Sequence, residues 1–279
     1  IPEEIELTSD ISCIKGCDLL IFGIPSSFLR SVAELAAPYV DDRMTIVNTG
    51  KGIEEGSLKL LSQVITEVIG ERKLVVLSGP SHAEEVARGI PTTMVAASTN
   101  SDAAKYVQEQ LGGGSIRIYL NEDVIGCELG GALKNIIALC CGICEGMGYG
   151  DNTKAALMTR GIHEITRLGV AAGAQQITFA GLTGIGDLIV TCTSIHSRNN
   201  RAGKLIGAGM SPEEAVKQVG TVEGYCCCRA AKELADKLGV EMPITAELDK
   251  VLFRGGDIKM ALGALMNRPM IHEHENINV

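Results

Sequence analysis

A single basic side chain, Lys134, stands inside a long apolar segment. It is the only lysine or arginine between Arg117 and Lys154, and the apolar residues around it recur at helical spacing: Ile125, Leu129, Ile136, Ile137, Cys140 and Cys144. Burial lowers the pKa of a lysine towards neutrality, which makes the side chain usable as a proton donor or acceptor. Alternatively, Lys134 extends to the helix end and keeps its ammonium group in water.

Asp187 is a second candidate, because it is the one carboxylate in the apolar run 179–190. A buried carboxylate is costly unless it is paired, and Lys134 is its natural partner. Alternatively, Asp187 caps the N-terminus of a helix, a role that suits an aspartate after a glycine.

Two further segments could bind anions. Residues 197–201, Ser-Arg-Asn-Asn-Arg, combine two guanidinium groups with hydroxyl and amide donors, a composition suited to phosphate. Lys51 lies between two glycines in the loop 49–52, directly after an apolar run. For either segment taken alone, a solvated surface cluster is the plainer interpretation.

Two kinds of periodicity position these residues. Residues 1–121 alternate short apolar runs with amphipathic segments, which predicts an α/β domain with a Rossmann-type parallel sheet. Residues 122–279 are almost exclusively helical in pattern and form a predicted all-α substrate domain. The predicted strands are a first one near Ile5–Leu7, followed by Leu19–Gly23, Thr45–Asn48, Leu74–Ser78, Thr92–Ala97 and Ile116–Leu120. Helices are predicted over 26–37, up to Ile69, and over 101–110.

In such a sheet, ligands bind beyond the carboxyl ends of the strands. The segments 25–27, 50–52 and 79–81 follow three predicted strands, so they are expected to line one crevice. The dinucleotide motif G-x-G-x-x-G is absent from residues 1–60. Gly184-Ile185-Gly186 resembles it only weakly and lies in the helical half.

Composition excludes several classes of protein. The 279 residues are 46% hydrophobic and carry a formal net charge of −9, which argues against nucleic-acid binding. The ten cysteines lack the spacing of a disulfide framework or a zinc site, so we predict reduced thiols, a cytoplasmic location and no metal. No charge-free apolar stretch reaches membrane length, and no membrane span is predicted.

Several separated motifs together resemble NAD(P)-dependent glycerol-3-phosphate dehydrogenase of the bacterial type. They run in order along nearly the whole chain: residues 48–54 (NTGKGIE), 78–81 (SGPS), 128–135 (ELGGALKN), 184–188 (GIGDL), 197–199 (SRN), 222–225 (VEGY) and 241–244 (EMPI).

The resemblance implies reversible, NAD- or NADP-dependent reduction of dihydroxyacetone phosphate to glycerol 3-phosphate, feeding phospholipid synthesis. It implies that Lys134 is the catalytic acid and base, although Asn135 beside it has packing or capping as an alternative role. The implied substrate-binding residues are Lys51, Gly79, Ser81, Lys134, Asn135, Asp187, Ser197, Arg198 and Asn199. The implied cofactor-binding residues are Phe28, Lys51, Ala83, Arg198, Thr221 and Glu223.

The start of the sequence departs from the family. Family members begin with a Gly-rich βα turn, and this sequence opens beyond it, so we expect roughly 50 more preceding residues, the length of a β-α-β start. Without that turn, we expect NADH to bind weakly or not at all. Alternatives are a two-domain dehydrogenase of the 6-phosphogluconate or 3-hydroxyacid type, and a non-catalytic relative without cofactor binding. The apolar stretches 251–253 and 260–266 could support a homodimer or close the core.

Overall fold

In the computed structural model, which describes residues 3–270 and 272–273, an α/β half is followed by a helical half. The strands are β1 (Leu19–Phe22), β2 (Thr45–Asn48), β3 (Lys73–Ser78), β4 (Thr92–Ala97) and β5 (Ile116–Asn121). The helices between them are α1 (Leu29–Ala36), α2 (Leu61–Ile69), α3 (Ala83–Val86) and α4 (Ser101–Leu111). The helical half contains α5 (Val124–Gly146), α6 (Asp151–Ala171), α7 (Asp187–Thr193), α8 (Arg198–Gly207), α9 (Pro212–Val219), α10 (Glu223–Leu238), α11 (Pro243–Phe253) and α12 (Ile258–Met266).

This architecture confirms the predicted fold class, a Rossmann-type sheet followed by helices. The change from strands to helices falls between Asn121 and Val124. The domain boundary at residues 121 and 122 stays a prediction.

The described part of the chain forms one five-stranded sheet in the order β1-β2-β3-β4-β5. Three of its pairings are parallel, but β4 runs antiparallel to β3, with Leu77 opposite Ala96. The connection between these two strands contains only the single-turn helix α3, and the chain reverses there. The sheet is therefore predominantly, and not wholly, parallel.

The predicted strand near Ile5–Leu7 is wrong. The first regular element is a 3₁₀ turn at Ile11–Ile14, and the side chains of Ile5 and Leu7 are exposed. A three-residue segment flanked by polar residues has too little apolar area to repay the entropy of ordering it as a strand.

Helix α5 is the centre of the helical half. Each residue from Gly126 to Cys144 is buried, as helices α6, α7, α8 and α10 pack around it. Within the described residues it is the one helix with the length and apolarity to cross a membrane, yet 89% of its most apolar window is buried inside the protein. Helix α5 is thus a core helix, as the sequence pattern predicts.

Glycines allow α8 to approach α5 closely. A Cβ atom at Gly142 would lie 2.1 Å from the carbonyl oxygen of Asn200, and one at Gly203 would lie 2.2 Å from that of Leu139. This contact holds the start of α8 beside the middle of α5, where Lys134 lies.

Candidate active site

Lys134 lies on α5 with only 5% of its surface exposed. Its ammonium group donates to Oδ1 of Asp187 at 2.5 Å and to Oγ1 of Thr191 at 2.5 Å. These bonds use two of the three donors of an ammonium group. Lys134 therefore does not extend to the helix end, and one donor is left for a ligand.

Asp187 pairs with two lysines, one from each half of the protein. While its Oδ1 accepts from Lys134, its Oδ2 accepts from Nζ of Lys51 at 2.6 Å. Lys51 also donates to the carbonyl oxygen of Gly79 at 3.1 Å. Asp187 is the first residue of α7, and its side chain makes no capping hydrogen bond there. The carboxylate thus pairs with lysines and does not cap the helix.

The charges in this cluster shift each other's ionisation. Burial, followed by the charge of Lys51, lowers the pKa of Lys134 to about 7. Burial alone would raise the pKa of Asp187, but the charges of Lys51 and Lys134 outweigh it and hold that pKa below its usual value. Near neutral pH the Lys134 side chain can therefore give up or accept a proton while Asp187 stays ionised.

Two successive glycines let α5 contact both halves. A Cβ atom at Gly131 would lie 2.9 Å from Oγ of Ser78, at the end of β3, and 3.5 Å from Cγ of Lys51. A Cβ atom at Gly130 would lie 2.5 Å from the carbonyl oxygen of Thr183. The ends of β2 and β3 therefore lie against α5, the helix that carries Lys134. The prediction that these strand ends line one crevice requires such a contact.

The predicted substrate residues Asn135 and Asn199 contact each other. Both are buried, and Nδ2 of Asn199 donates to Oδ1 of Asn135 at 3.0 Å. Oδ1 of Asn199 accepts from the backbone N–H of Gly224 at 2.8 Å. These bonds brace α5, α8 and α10, which is the packing role considered for Asn135. The predicted contacts of these two side chains with substrate stay predictions.

The start of α8 carries the predicted phosphate-binding residues. Ser197 is its N-cap and accepts from the backbone N–H of Asn200 at 3.2 Å. Arg198 is the first helical residue and is exposed. An exposed guanidinium at a helix N-terminus is well placed to bind an anion. Across the crevice, Oγ of Ser81 donates to the carbonyl oxygen of Gly79 at 3.1 Å.

The predicted cofactor residues lie on several elements, and one of them, Glu223, contacts the segment that follows β1. Glu223 accepts from Oγ of Ser26 at 2.7 Å, which ties α10 to that strand end. A Cβ atom at Gly52 would lie 2.6 Å from Cβ of Ser26. Phe28 and Ala83 are exposed, and Thr221 is half-buried.

Sequence reasoning missed three polar residues of the site: Thr191, Ser26 and His82. Thr191 follows Asp187 by four residues, so helical spacing would have placed both on one face. Ser26 lies in a segment assigned to the crevice but was given no role. His82 has no predicted role in the sequence analysis.

Known proteins match this chain over nearly all of its length. The family described as NAD-dependent glycerol-3-phosphate dehydrogenase matches with its N-terminal part at residues 1–104 and its C-terminal part at residues 123–263. The glycerol-3-phosphate dehydrogenase [NAD(P)+] of Desulfitobacterium hafniense is 52% identical over 99% of this chain and 79% of its own length. That of Pelotomaculum thermopropionicum is also 52% identical, over 99% of this chain and 81% of its own.

A solved structure supports the same assignment. The crystal structure of glycerol-3-phosphate dehydrogenase from Coxiella burnetii superposes with a TM-score of 0.92 at 37% identity, covering 96% of this chain and 82% of that one. The resemblance read from separated motifs is thereby confirmed: the chain belongs to the NAD-dependent glycerol-3-phosphate dehydrogenase family.

Proposed function

We propose that this protein catalyses the reversible, NAD- or NADP-dependent reduction of dihydroxyacetone phosphate to glycerol 3-phosphate, a precursor for phospholipid synthesis. The observation that carries the chemistry is the buried cluster of Lys134, Asp187 and Lys51. It lies where the ends of β2 and β3 meet α5, the place where an α/β sheet binds its ligands.

The residues present fit the nicotinamide end of a dinucleotide. The end of β1 and the loop after β2 approach so closely that a Cβ atom at Gly52 would collide with Ser26. Phe28 beside them presents an aromatic ring with 60% of its surface exposed. In the proposal, Phe28, Lys51, Ala83, Arg198, Thr221 and Glu223 hold the cofactor. When bound, the reduced nicotinamide supplies a hydride to C2 of the ketone.

Lys134 supplies the proton in this proposal. Its free N–H donor binds the ketone oxygen and transfers the proton as negative charge develops there, leaving a neutral amine. Asp187 and Thr191 fix the position of Nζ, and Lys51 adds positive charge beside the oxygen. In the reverse direction the amine accepts the hydroxyl proton of glycerol 3-phosphate. A pKa of about 7 allows both steps near neutral pH.

The phosphate is assigned to the start of α8. Arg198 can bind it with two parallel N–H donors, and the helix N-terminus attracts its negative charge. Ser197 and Asn199 flank Arg198, and Gly79 and Ser81 line the opposite wall. Each of these residues is a proposed substrate contact.

Two broader properties belong to the proposal. All ten cysteines are free thiols, which supports a cytoplasmic location. Val251 and Leu252 are buried and close the core, whereas Met260 and Met266 are exposed on α12. We propose that α12 forms the contact of a homodimer. In light scattering, the wild type should then have the molar mass of a dimer, and Met260→Glu should have that of a monomer.

The test of the activity is oxidation of NADH and of NADPH by the purified protein, with the family's Gly-rich βα unit included at its start. We expect the reduced cofactor to be oxidised when dihydroxyacetone phosphate is added. We expect no oxidation when the ketone substrates of 6-phosphogluconate or 3-hydroxyacid dehydrogenases are added instead. The same protein should reduce NAD+ with glycerol 3-phosphate. Binding of glycerol 3-phosphate without turnover in either direction would instead support a non-catalytic relative.

A further inference from the structure

Two buried polar atoms at the candidate site have no hydrogen-bond partner within the described residues. They are Oγ of Ser78, at the end of β3, and Nε2 of His82, four residues further along. A buried polar group that stays unpaired destabilises the fold, so such atoms are candidates for contact with a ligand. Ser78 faces Gly131 on α5. His82 lies at the opposite end of the same loop, before α3.

His82 is surrounded by the charged groups of the cluster. Its pKa lies below the ordinary histidine value because of burial first and then the charge of Lys134, and Asp187, Glu84 and Lys51 also act on it. Its ring centroid lies 6.2 Å from that of His196, the residue that precedes the N-cap of α8. His82 therefore has a depressed pKa, and its ring lies near the start of α8.

Groups from both halves of the chain act on the carboxylate of Glu84. The pKa of Glu84 is lowered by a hydrogen bond from its own backbone N–H, and then by His196, His82 and Arg198. His82 and Arg198 thus lie within electrostatic reach of one carboxylate although they belong to different halves of the chain. Arg198 is exposed at the start of α8.

We propose that His82 is a specificity-determining residue whose Nε2–H donates to the phosphate of the bound substrate, opposite Arg198. This inference rests on the proposed function and extends it by one residue. An incoming phosphate satisfies the buried Nε2 atom, and its negative charge favours the imidazolium form. Phosphate binding therefore raises the pKa of His82 and takes up a fraction of a proton.

The other charges around His82 set the sign of the pH dependence. Lys134 on α5 and Lys51 after β2 oppose its protonation, whereas Asp187 on α7 and Glu84 on α3 favour it. At the start of α8 stand Arg198 and His196, and the ring centroid of His196 lies 6.2 Å from that of His82. The contribution of His82 to phosphate affinity is therefore largest at low pH and falls as the pH rises through the pKa of the bound form. The phosphate group of the substrate titrates as well, and it does so equally with wild type and with a variant. The effect of His82 is therefore measured as the ratio of the wild-type affinity to the variant affinity at each pH.

Two variants separate the hydrogen bond from the shape of the side chain. His82→Phe keeps a ring of similar size without nitrogen, and His82→Gln keeps an amide donor at about the same reach. We expect His82→Phe to raise the KM for dihydroxyacetone phosphate and the calorimetric Kd of glycerol 3-phosphate by about tenfold, the usual cost of losing a hydrogen bond to a charged group. The kcat should change by less than about twofold, since His82 does not transfer the proton. His82→Gln should recover most of the affinity.

Proton NMR of the wild-type imidazoles tests the contact directly. Addition of glycerol 3-phosphate or inorganic phosphate should raise the pKa of His82, and addition of glycerol should not. The matched control is His272→Gln. His272 is exposed, and the carbonyl oxygen of its neighbour Glu273 accepts a hydrogen bond from Arg160 on α6. That variant should bind as wild type does.

The inference is overturned when His82→Phe binds glycerol 3-phosphate as tightly as wild type, or when glycerol shifts the His82 pKa as much as glycerol 3-phosphate does. A His82→Phe protein that does not fold leaves the decision to His82→Gln and the wild-type titration. If wild type itself neither binds glycerol 3-phosphate nor turns it over, the proposed function fails, a result distinct from failure of the His82 contact alone.

Discussion

Replacing Lys51 by methionine should raise the pKa of Lys134. The two ammonium groups bind opposite oxygens of the Asp187 carboxylate, at 2.6 Å for Lys51 and 2.5 Å for Lys134. The charge of Lys51 is, after burial, the largest cause of the lowered pKa of Lys134. Methionine keeps most of the length of the side chain and removes this charge, leaving Asp187 to Lys134 alone.

The size of the shift follows from Coulomb's law. Two nitrogen atoms that each hydrogen-bond one oxygen of the same carboxylate lie about 5 Å apart. At an effective dielectric constant of about 20, their repulsion is about 3 kcal/mol, equivalent to roughly 2 pKa units. Water that enters the space left by the Lys51 ammonium group weakens the other effects of burial and charge on Lys134. We therefore expect the pKa of Lys134 to rise from about 7 by roughly one to two units.

The assay is the pH dependence of kcat/KM for reduction of dihydroxyacetone phosphate. Lys134 must be protonated to donate, so the wild-type rate should fall as the pH rises through about 7. In Lys51→Met this fall should move to higher pH, although the maximal rate is lower. Reductive methylation with ¹³C-formaldehyde and NMR titration of Lys134 measures the same pKa without turnover.

The matched control is Lys59→Met. Lys59 is half-exposed and pairs with Glu67, so its loss should leave the Lys134 titration unchanged. A Lys134 pKa that is unchanged or lower in Lys51→Met would show that repulsion between the two lysines does not set it.

Three further variants test other parts of the site and fold. Lys134→Met should lose several orders of magnitude in turnover, since proton transfer alone supplies ~10²–10⁴-fold, and near-normal turnover would refute the proposed acid. Arg198→Lys should mainly raise the KM for dihydroxyacetone phosphate, because a point charge replaces a two-pronged donor; an unchanged KM would place the phosphate elsewhere. Gly203→Ala should lower the melting temperature, because its Cβ atom would lie 2.2 Å from the Leu139 carbonyl oxygen. Gly263→Ala, with no described atom within 4 Å of its added Cβ, should leave the melting temperature unchanged or higher. Equal effects of the two alanines would contradict the packing argument.

Much of the site could be predicted from local pattern and charge. Lys134 is the only basic residue in an apolar helix, and Asp187 is the only carboxylate in an apolar run, so burial alone requires each to find a partner. The structure pairs them. Strands Thr45–Asn48 and Thr92–Ala97 match their predicted bounds because each is a short apolar run between polar or turn residues.

Other features depend on contacts that no local pattern encodes. Lys51 meets Asp187 across 136 positions of sequence, and only the packing of α5 against the strand ends makes one carboxylate serve two lysines. The reversed direction of β4 follows from how the chain turns after β3, because Thr92–Ala97 would read the same in either direction. His82 is ordinary in sequence, and only the folded structure shows that its Nε2 is buried without a hydrogen-bond partner among the described residues. The sequence by itself therefore determined which side chains had to be buried with a partner, and the tertiary structure decided which partners they met, since long-range packing sets the distances on which charge and hydrogen bonding depend.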